Sequence, residues 1–389
     1  MKKKWIGSWT AAPMNVWSSD TVLPGFFNQT IRETCRISLG GSSLCVRLTN
    51  EFGDRPIELS DVRIANAFEH GAIQPHTSRQ LTFNGEVAGH LPPGTALISD
   101  PIEMIVAPLS VLSISAYTRG YLPIQTHHYE AQQTTFISLP GNFTEARIMP
   151  LEQMSTSRYL VSAVYVNAEE NSRAVVCVGD SLTDGYGSET DGNSRWPDIL
   201  AQILQAYPAL SKVAVLNQGI GGNRLLTSRR GLKLSERLDR DVFAYSGVSH
   251  MIVAIGINDI GWPNTPIAGP DEVVSASEIT VGLNQICRRA ELAGVRAIVA
   301  TLAPFQGAMM DSPMKSYYNG EKERIRAAVN SWIRSGAHGC PVVDFDEVLN
   351  DPAHPQRLRP EFDCGDHLHP NNRGYVAMAR SIDLKLLEE

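Results

Sequence analysis

Long apolar runs are missing from this 389-residue chain. No stretch of about 18 consecutive apolar residues occurs, so no helix is expected to span a membrane. Basic charge is not in excess: 34 Lys and Arg against 41 Asp and Glu leave a net charge of −7. Such a chain is a poor general binder of nucleic acid, whose affinity comes largely from basic groups on phosphates, and the pair Arg229-Arg230 does not change that. Cysteine is sparse. The six residues Cys35, Cys45, Cys177, Cys287, Cys340 and Cys364 form no CxxC pair and show no zinc spacing. Buried, reduced thiols are expected, with a Cys340–Cys364 bond as the alternative. The basic start Met1-Lys2-Lys3-Lys4 lacks the apolar stretch of about 7–15 residues that completes a signal peptide. The expectation is a cytoplasmic protein, or a secreted one if a leader was removed. GxSxG is absent, which argues against an α/β-hydrolase elbow. HExxH, a P-loop and a strand-following GxGxxG are absent too, as are internal repeats and low-complexity tracts.

What is present is ordinary for a folded protein: 43% apolar and 19% charged residues. The length predicts two domains. Residues 1–166 read as β. Gln29–Ser38 and Leu44–Thr49 alternate apolar and polar around Gly40-Gly41-Ser42, which predicts a hairpin. Ile57–Ala65 and Val111–Tyr117 continue the pattern, punctuated by Pro and Gly. Many short strands predict a β-sandwich of jelly-roll type. The polar segment Asn167–Arg173 reads as the boundary. In residues 167–389 the period changes. Apolar runs at 174–178, 213–216, 251–255, 297–302 and 342–345 alternate with helical stretches 197–207, 275–293 and 321–335. Continuous apolar strands separated by helices predict a parallel sheet covered on both faces, a doubly wound α/β domain.

Ligands bind at the carboxyl ends of parallel strands. Gly179-Asp180-Ser181-Leu182 follows the first strand, Gly219-Ile220-Gly221-Gly222-Asn223 the second, and Gly256-Ile257-Asn258-Asp259 the third. Asp366-His367-Leu368-His369-Pro370 lies beyond the fifth. A serine hydroxyl needs an adjacent base to become a nucleophile. A histidine three residues after an aspartate can supply that base while the aspartate orients it. The N–H groups of Ser181 and Gly222 and the Asn258 amide are candidate donors for the oxyanion formed on attack at an ester carbonyl.

Taken in order, these four blocks resemble the SGNH (GDSL-type) hydrolase family over about 174–389. The resemblance implies a flavodoxin-like three-layer α/β/α fold and no cofactor. It implies Ser181 as nucleophile, His369 as base and Asp366 as third triad member, with Gly222 and Asn258 completing the oxyanion hole. The N-terminal half, with Trp5–Pro13, Thr30-Ile31-Arg32 and Ser60-Asp61-Val62, is similar to the β-sandwich preceding the hydrolase in a two-domain esterase subgroup. A serine esterase acting on short acyl groups is expected, with acetylated carbohydrate as the substrate class. A phospholipase or thioesterase, and a carbohydrate-binding protein with weak esterase activity, are the alternatives. Trp262 and Arg224, near the blocks, are candidate substrate contacts, with core packing and a surface salt bridge as the respective alternatives; Tyr186 is a further aromatic beside them. Trp196 is expected in the core. Asp180 and Asp184 are expected to cap and hydrogen-bond rather than bind metal, and no metal site is expected at His367 and His369. His127-His128 is expected at the surface.

Overall fold

Alternation of buried and exposed side chains organises the first 170 residues into antiparallel strands. The computed structural model describes residues 3–17 and 23–388. Met1 and Lys2, the start of the basic segment noted above, lie outside the described residues. Contacts divide the chain into two units. The first holds residues 1–173, 190–193 and 211–216; the second holds 174–189, 194–210 and the chain from 217 on.

Two antiparallel sheets carry the first unit. One orders Lys3–Thr10, Val161–Glu169, Gly41–Asn50 and Ile102–Val106, with Thr95–Ile98 also paired to Gly41–Asn50. The other orders Leu151–Ser155, Thr135–Ser138, Gly25–Arg36, Val111–Pro123, Asp61–Asn66 and Arg79–Gln80. Ile6, Leu44, Val46 and Val164 from the first and Ile31, Ile64, Ile114 and Ile137 from the second are buried. This arrangement is consistent with the expected β-sandwich.

Four local expectations are corrected. The strands around Gly40-Gly41 do not form a hairpin: they lie in different sheets. The turn is an arch between layers, held by Ser38 N–H donating to Ser8 O at 2.8 Å. Alternation reveals a strand's faces but not its partner, so a corner and a hairpin read alike. The segment 57–65 breaks at Ser60 into Ile57–Leu59 and Asp61–Asn66, which pair with different strands. Most of the boundary segment is strand: Val161–Glu169 runs into it and Arg173–Gly179 begins at its end. His127 and His128 are also buried, not surface; His128 Nδ1 bonds Ala12 O at 2.8 Å.

Arg32 is fully buried in the first unit. Its guanidinium donates to Ser115 Oγ (2.8 Å), Gly71 O (3.0 Å), Phe143 O (3.2 Å) and Ala146 O (2.9 Å). One side chain thereby satisfies carbonyls from two irregular segments that no strand partner reaches.

A five-stranded sheet has the order Val213–Gly219, Arg173–Gly179, Val248–Ala254, Arg296–Ala300, Val342–Val343. In sequence order that is 2-1-3-4-5, the flavodoxin-like pattern, with parallel registers such as Ile252↔Ile298 and Ala300↔Val343. The long helices stand where the period placed them, at Trp196–Ala206, Ala276–Leu292 and Gly320–Arg334. Ala276–Leu292 starts at a Ser275/Glu278 capping box and buries Ile279, Leu283, Ile286, Cys287 and Ala290 on one face. Trp196 is fully buried against Phe345, ring centroids 5.5 Å apart. All six cysteines are free, so Cys340 and Cys364 are not bonded.

Replacing Arg32 by Leu strands several buried carbonyls at about 1–3 kcal/mol each. Arg32→Leu is expected to lower unfolding stability by about 3 kcal/mol or more, measured by urea titration followed by circular dichroism. A loss under about 1 kcal/mol would show that water replaces the guanidinium.

Candidate active site

The first strand ends at Gly179, and Asp180 caps the short helix Ser181–Asp184 by accepting the Leu182 N–H at 3.1 Å. Ser181 therefore sits on the first helical turn. Its own N–H, one of the donors that a helix start leaves without an intrahelical acceptor, has no partner among the described residues. Ser181 Oγ lies 2.7 Å from His369 Nε2, and His369 Nδ1 lies 2.6 Å from Asp366 Oδ2. The second contact fixes the tautomer in which Nδ1 donates to the carboxylate and Nε2 faces the hydroxyl. The Asp366 Oδ1 accepts the N–H groups of Leu368 (2.9 Å) and His369 (2.8 Å), so the loop is folded around its own carboxylate. Burial pushes the Asp366 carboxyl up, but the hydrogen bond and charge of His369 and these N–H donors outweigh it. The group is held well below the usual carboxylate range. The Tyr186 ring tilts over His369, centroids 4.5 Å apart.

The glycine block after the second strand packs on this helix. A Cβ on Gly219 would stand 2.2 Å from Asp184 N, so only glycine permits the approach. Gly221 N–H donates to Asp184 Oδ2 at 3.1 Å. Gly222 follows with φ +75, and its N–H has no partner among the described residues. The two adjacent glycines thus differ: Gly221 is committed to Asp184, and Gly222 keeps a donor available.

Asn258 begins the third group. Its Oδ1 accepts the Tyr317 hydroxyl at 2.8 Å, and its Nδ2 donates to Asn223 O at 3.0 Å. Both amide faces are thereby assigned, and one N–H of Nδ2 remains over. Burial raises the Tyr317 phenol well above its ordinary pKa, which keeps it a donor. Lys322 Nζ donates to Gly261 O, Pro263 O and Ser316 O, tying down the backbone after Asn258. Asp259 accepts the Leu225 and Leu226 N–H groups at 2.8 and 2.9 Å. The strand ends themselves are joined by Arg237, fully buried. It donates to Gly179 O (2.9 Å), Gln218 O (2.8 Å), Asn223 Oδ1 (3.0 Å) and Asp241 Oδ2 (2.9 Å).

The two candidate substrate contacts are both buried. Trp262 is 4% exposed, with Cζ2 only 2.7 Å from where a Gly222 Cβ would be. Arg224 is 2% exposed, ion-paired to Glu272 at 2.7 Å, with its guanidinium over the Trp262 ring at 5.2 Å. It braces Trp262 against the glycine turn. The two histidines of the last block face separate carboxylates, His367 Nδ1 meeting Asp363 Oδ2 at 2.5 Å, so they do not share one ligand position. Tyr317, Lys322 and Arg237 belong to none of the sequence blocks, and no short motif marks them.

A model of the GDSL-like Lipase/Acylhydrolase family matches residues 177–377. No curated protein matches the chain. An acetyl xylan esterase from Geobacillus stearothermophilus is similar at 23% identity and TM-score 0.41, over 55% of this chain and 94% of that one. A GDSL-like lipase from Bacteroides thetaiotaomicron is similar at 16% and 0.40, over 55% and 88%.

Two outcomes follow from the buried groups. Tyr317→Phe frees the Asn258 amide to rotate and is expected to lower kcat about 10-fold with little change in KM. Losing an oxyanion donor outright typically costs about 10²–10³; an unchanged kcat would show that Asn223 alone holds the amide. Burial pushes Asp180 up to about 7, above an unfolded value near 4. The neutral acid therefore stabilises the fold at low pH, and this contribution is lost as pH rises toward 7. Asn caps a helix as well as Asp. The melting temperature of Asp180→Asn relative to the parent should thus rise between pH 4 and pH 8; a pH-independent difference would mean that Asp180 stays ionised in the fold.

Proposed function

The chain belongs to the GDSL-like lipase/acylhydrolase family, and within that family we propose that it is a serine esterase cleaving short-chain, chiefly acetyl, esters through an acyl-enzyme. The observation that carries this reading is the unbroken pair of contacts from Ser181 Oγ to His369 Nε2 (2.7 Å) and from His369 Nδ1 to Asp366 (2.6 Å). Ser181 attacks the ester carbonyl while His369 Nε2 takes its proton. Asp366 holds the ring and stabilises the imidazolium that forms. The carbonyl oxygen, now negative, accepts from Ser181 N–H, Gly222 N–H and the spare Asn258 N–H. His369 then returns the proton to the departing alcohol. Water repeats the sequence on the acyl-enzyme and regenerates Ser181.

Aromatic groups crowd this site: Tyr186 lies against His369 and Trp262 lies behind Gly222. That crowding supports a small acyl group. Carbohydrate O-acetyl esters are the proposed physiological class, supported by the two-domain resemblance. The substrate test is a series of aryl esters from acetyl to decanoyl, run beside acetylated xylan and acetylated sugars. Preference for acetyl on both supports the reading. A maximum at long acyl chains or on a phospholipid or thioester would replace it with a lipolytic or thioesterase role.

Ser181→Ala is expected to abolish turnover with the melting temperature unchanged, and diisopropyl fluorophosphate should label Ser181 stoichiometrically. Labelling elsewhere, or an active Ala variant, would sink the assignment. Asp366→Asn should lower kcat by up to about 10⁴, the cost of the equivalent change in a serine protease. A loss below about 10-fold would assign the orientation of His369 to another group.

A further inference from the structure

Two of the six cysteines meet a histidine away from the serine. Cys287 lies on the buried face of the helix Ala276–Leu292. His338 and Cys340 lie in the turn between the helix Gly320–Arg334 and the strand Val342–Val343. One ligand atom from each, two sulfurs and one imidazole nitrogen, lies within 4.8 Å of the other two. Gly339, between His338 and Cys340, has φ +76, a left-handed conformation that glycine adopts without strain. The three residues line a cavity of about 760 Å³ together with Glu291, Arg288 and Arg296, so the cluster is open to solutes.

We propose that Cys287, His338 and Cys340 form a binding site for a soft divalent transition metal, with Zn²⁺ the leading ion. Tetrahedral zinc binds thiolate sulfur at about 2.3 Å and imidazole nitrogen at about 2.0–2.1 Å, which sets ligand atoms roughly 3.5–3.8 Å apart. The observed ligand atoms, within 4.8 Å of one another, lie about 1 Å or less beyond that spacing. Two thiolates and a neutral imidazole balance the dication, and binding releases two protons, one from each thiol. The outer contacts fit the same role. His338 Nε2 bonds Ile333 O at 3.1 Å, the backbone-carbonyl partner that metal-binding histidines commonly have, which leaves Nδ1 facing the sulfurs. Nδ1 accepts the Cys340 N–H at 3.2 Å; metal binding exchanges that bond for a metal–nitrogen bond. Glu291 lies one helical turn after Cys287 and lines the same cavity, so a carboxylate or a water completes four ligands.

The site stands at the amino-terminal edge of the sheet, beside Arg296 at the start of one strand and Pro341 just before the next. The serine site follows the opposite ends, separated by roughly 15 Å of strand. The metal is therefore a clamp between a helix and a turn, not a participant in ester cleavage.

The test uses the full-length protein, reduced and stripped with a chelator, then titrated with Co²⁺ and Zn²⁺. About one equivalent of Co²⁺ should give a thiolate-to-cobalt charge-transfer band that Zn²⁺ abolishes. Zn²⁺ should raise the melting temperature and leave aryl acetate hydrolysis unchanged. Cys287→Ser and His338→Gln should each weaken binding beyond the roughly 10–100-fold typical of an outer-shell change, whereas Cys364→Ser should not. Cys340→Ser, at a partly exposed position, gives the same reading if Cys287→Ser does not fold. No charge-transfer band, or a band that survives in these variants, overturns the proposal. So does a Cys287–Cys340 disulfide that re-forms in air and excludes Co²⁺, which would make the pair a redox couple instead.

Discussion

The guanidinium of Arg237 holds the ends of two strands and the turn after one of them. Buried to zero exposure, it binds the carbonyl before Asp180, the carbonyl before Gly219 and the side chain of Asn223. Asp241 neutralises it at 2.9 Å. Breaking such a pair from one side costs about 3–5 kcal/mol, because a charge is left buried without compensation. The consequences run outward from this one group. With Gly179 and Gln218 anchored, the Ser181 helix and the glycine turn can pack as closely as the Gly219–Asp184 approach requires. With Asn223 anchored, its carbonyl is fixed to receive Asn258.

A reaction that develops negative charge needs donors that are in place beforehand, since reorganising them would consume the stabilisation they offer. Each candidate donor here is held by a different means. Ser181 N–H is left over by the start of a helix. Gly222 N–H is left over because its neighbour Gly221 is spent on Asp184. The Asn258 amide is gripped on both faces by Tyr317 and Asn223. The supporting carboxylates Asp180 and Asp259 are buried at some cost, which shows as burial-driven rises to about 7 and about 6. Local stability is given up to keep the turns beneath the site in shape.

The serine site and the Cys287–His338–Cys340 cluster illustrate two ways in which parallel topology gathers residues. Parallel neighbours end on one edge and begin on the other, so residues far apart in sequence converge at both. At the carboxyl edge the convergence could be read beforehand, because three of the four blocks directly follow an apolar run and the last lies beyond the fifth. At the amino edge it could not: Cys287 is separated from His338 and Cys340 by a strand, a loop and a helix, and no spacing motif connects them.

Sequence alone determined the change from two-residue to helical periodicity, the five apolar strands, the helices between them, and the family to which the blocks at the strand ends belong. These are local properties: a strand's burial and a helix's face depend on residues a few positions apart. Only the tertiary structure decided the sheet partners of the strands around Gly40-Gly41, because alternation is the same in a hairpin and an arch. It alone placed His127 and His128 inside, identified Glu272 as the ion-pair partner of a buried Arg224, and brought Tyr317 to Asn258 across 59 residues. Each of these depends on a partner distant in the chain. Pairing of that kind is set by packing and by the cost of leaving a buried polar group unmet, and neither leaves a local pattern to read.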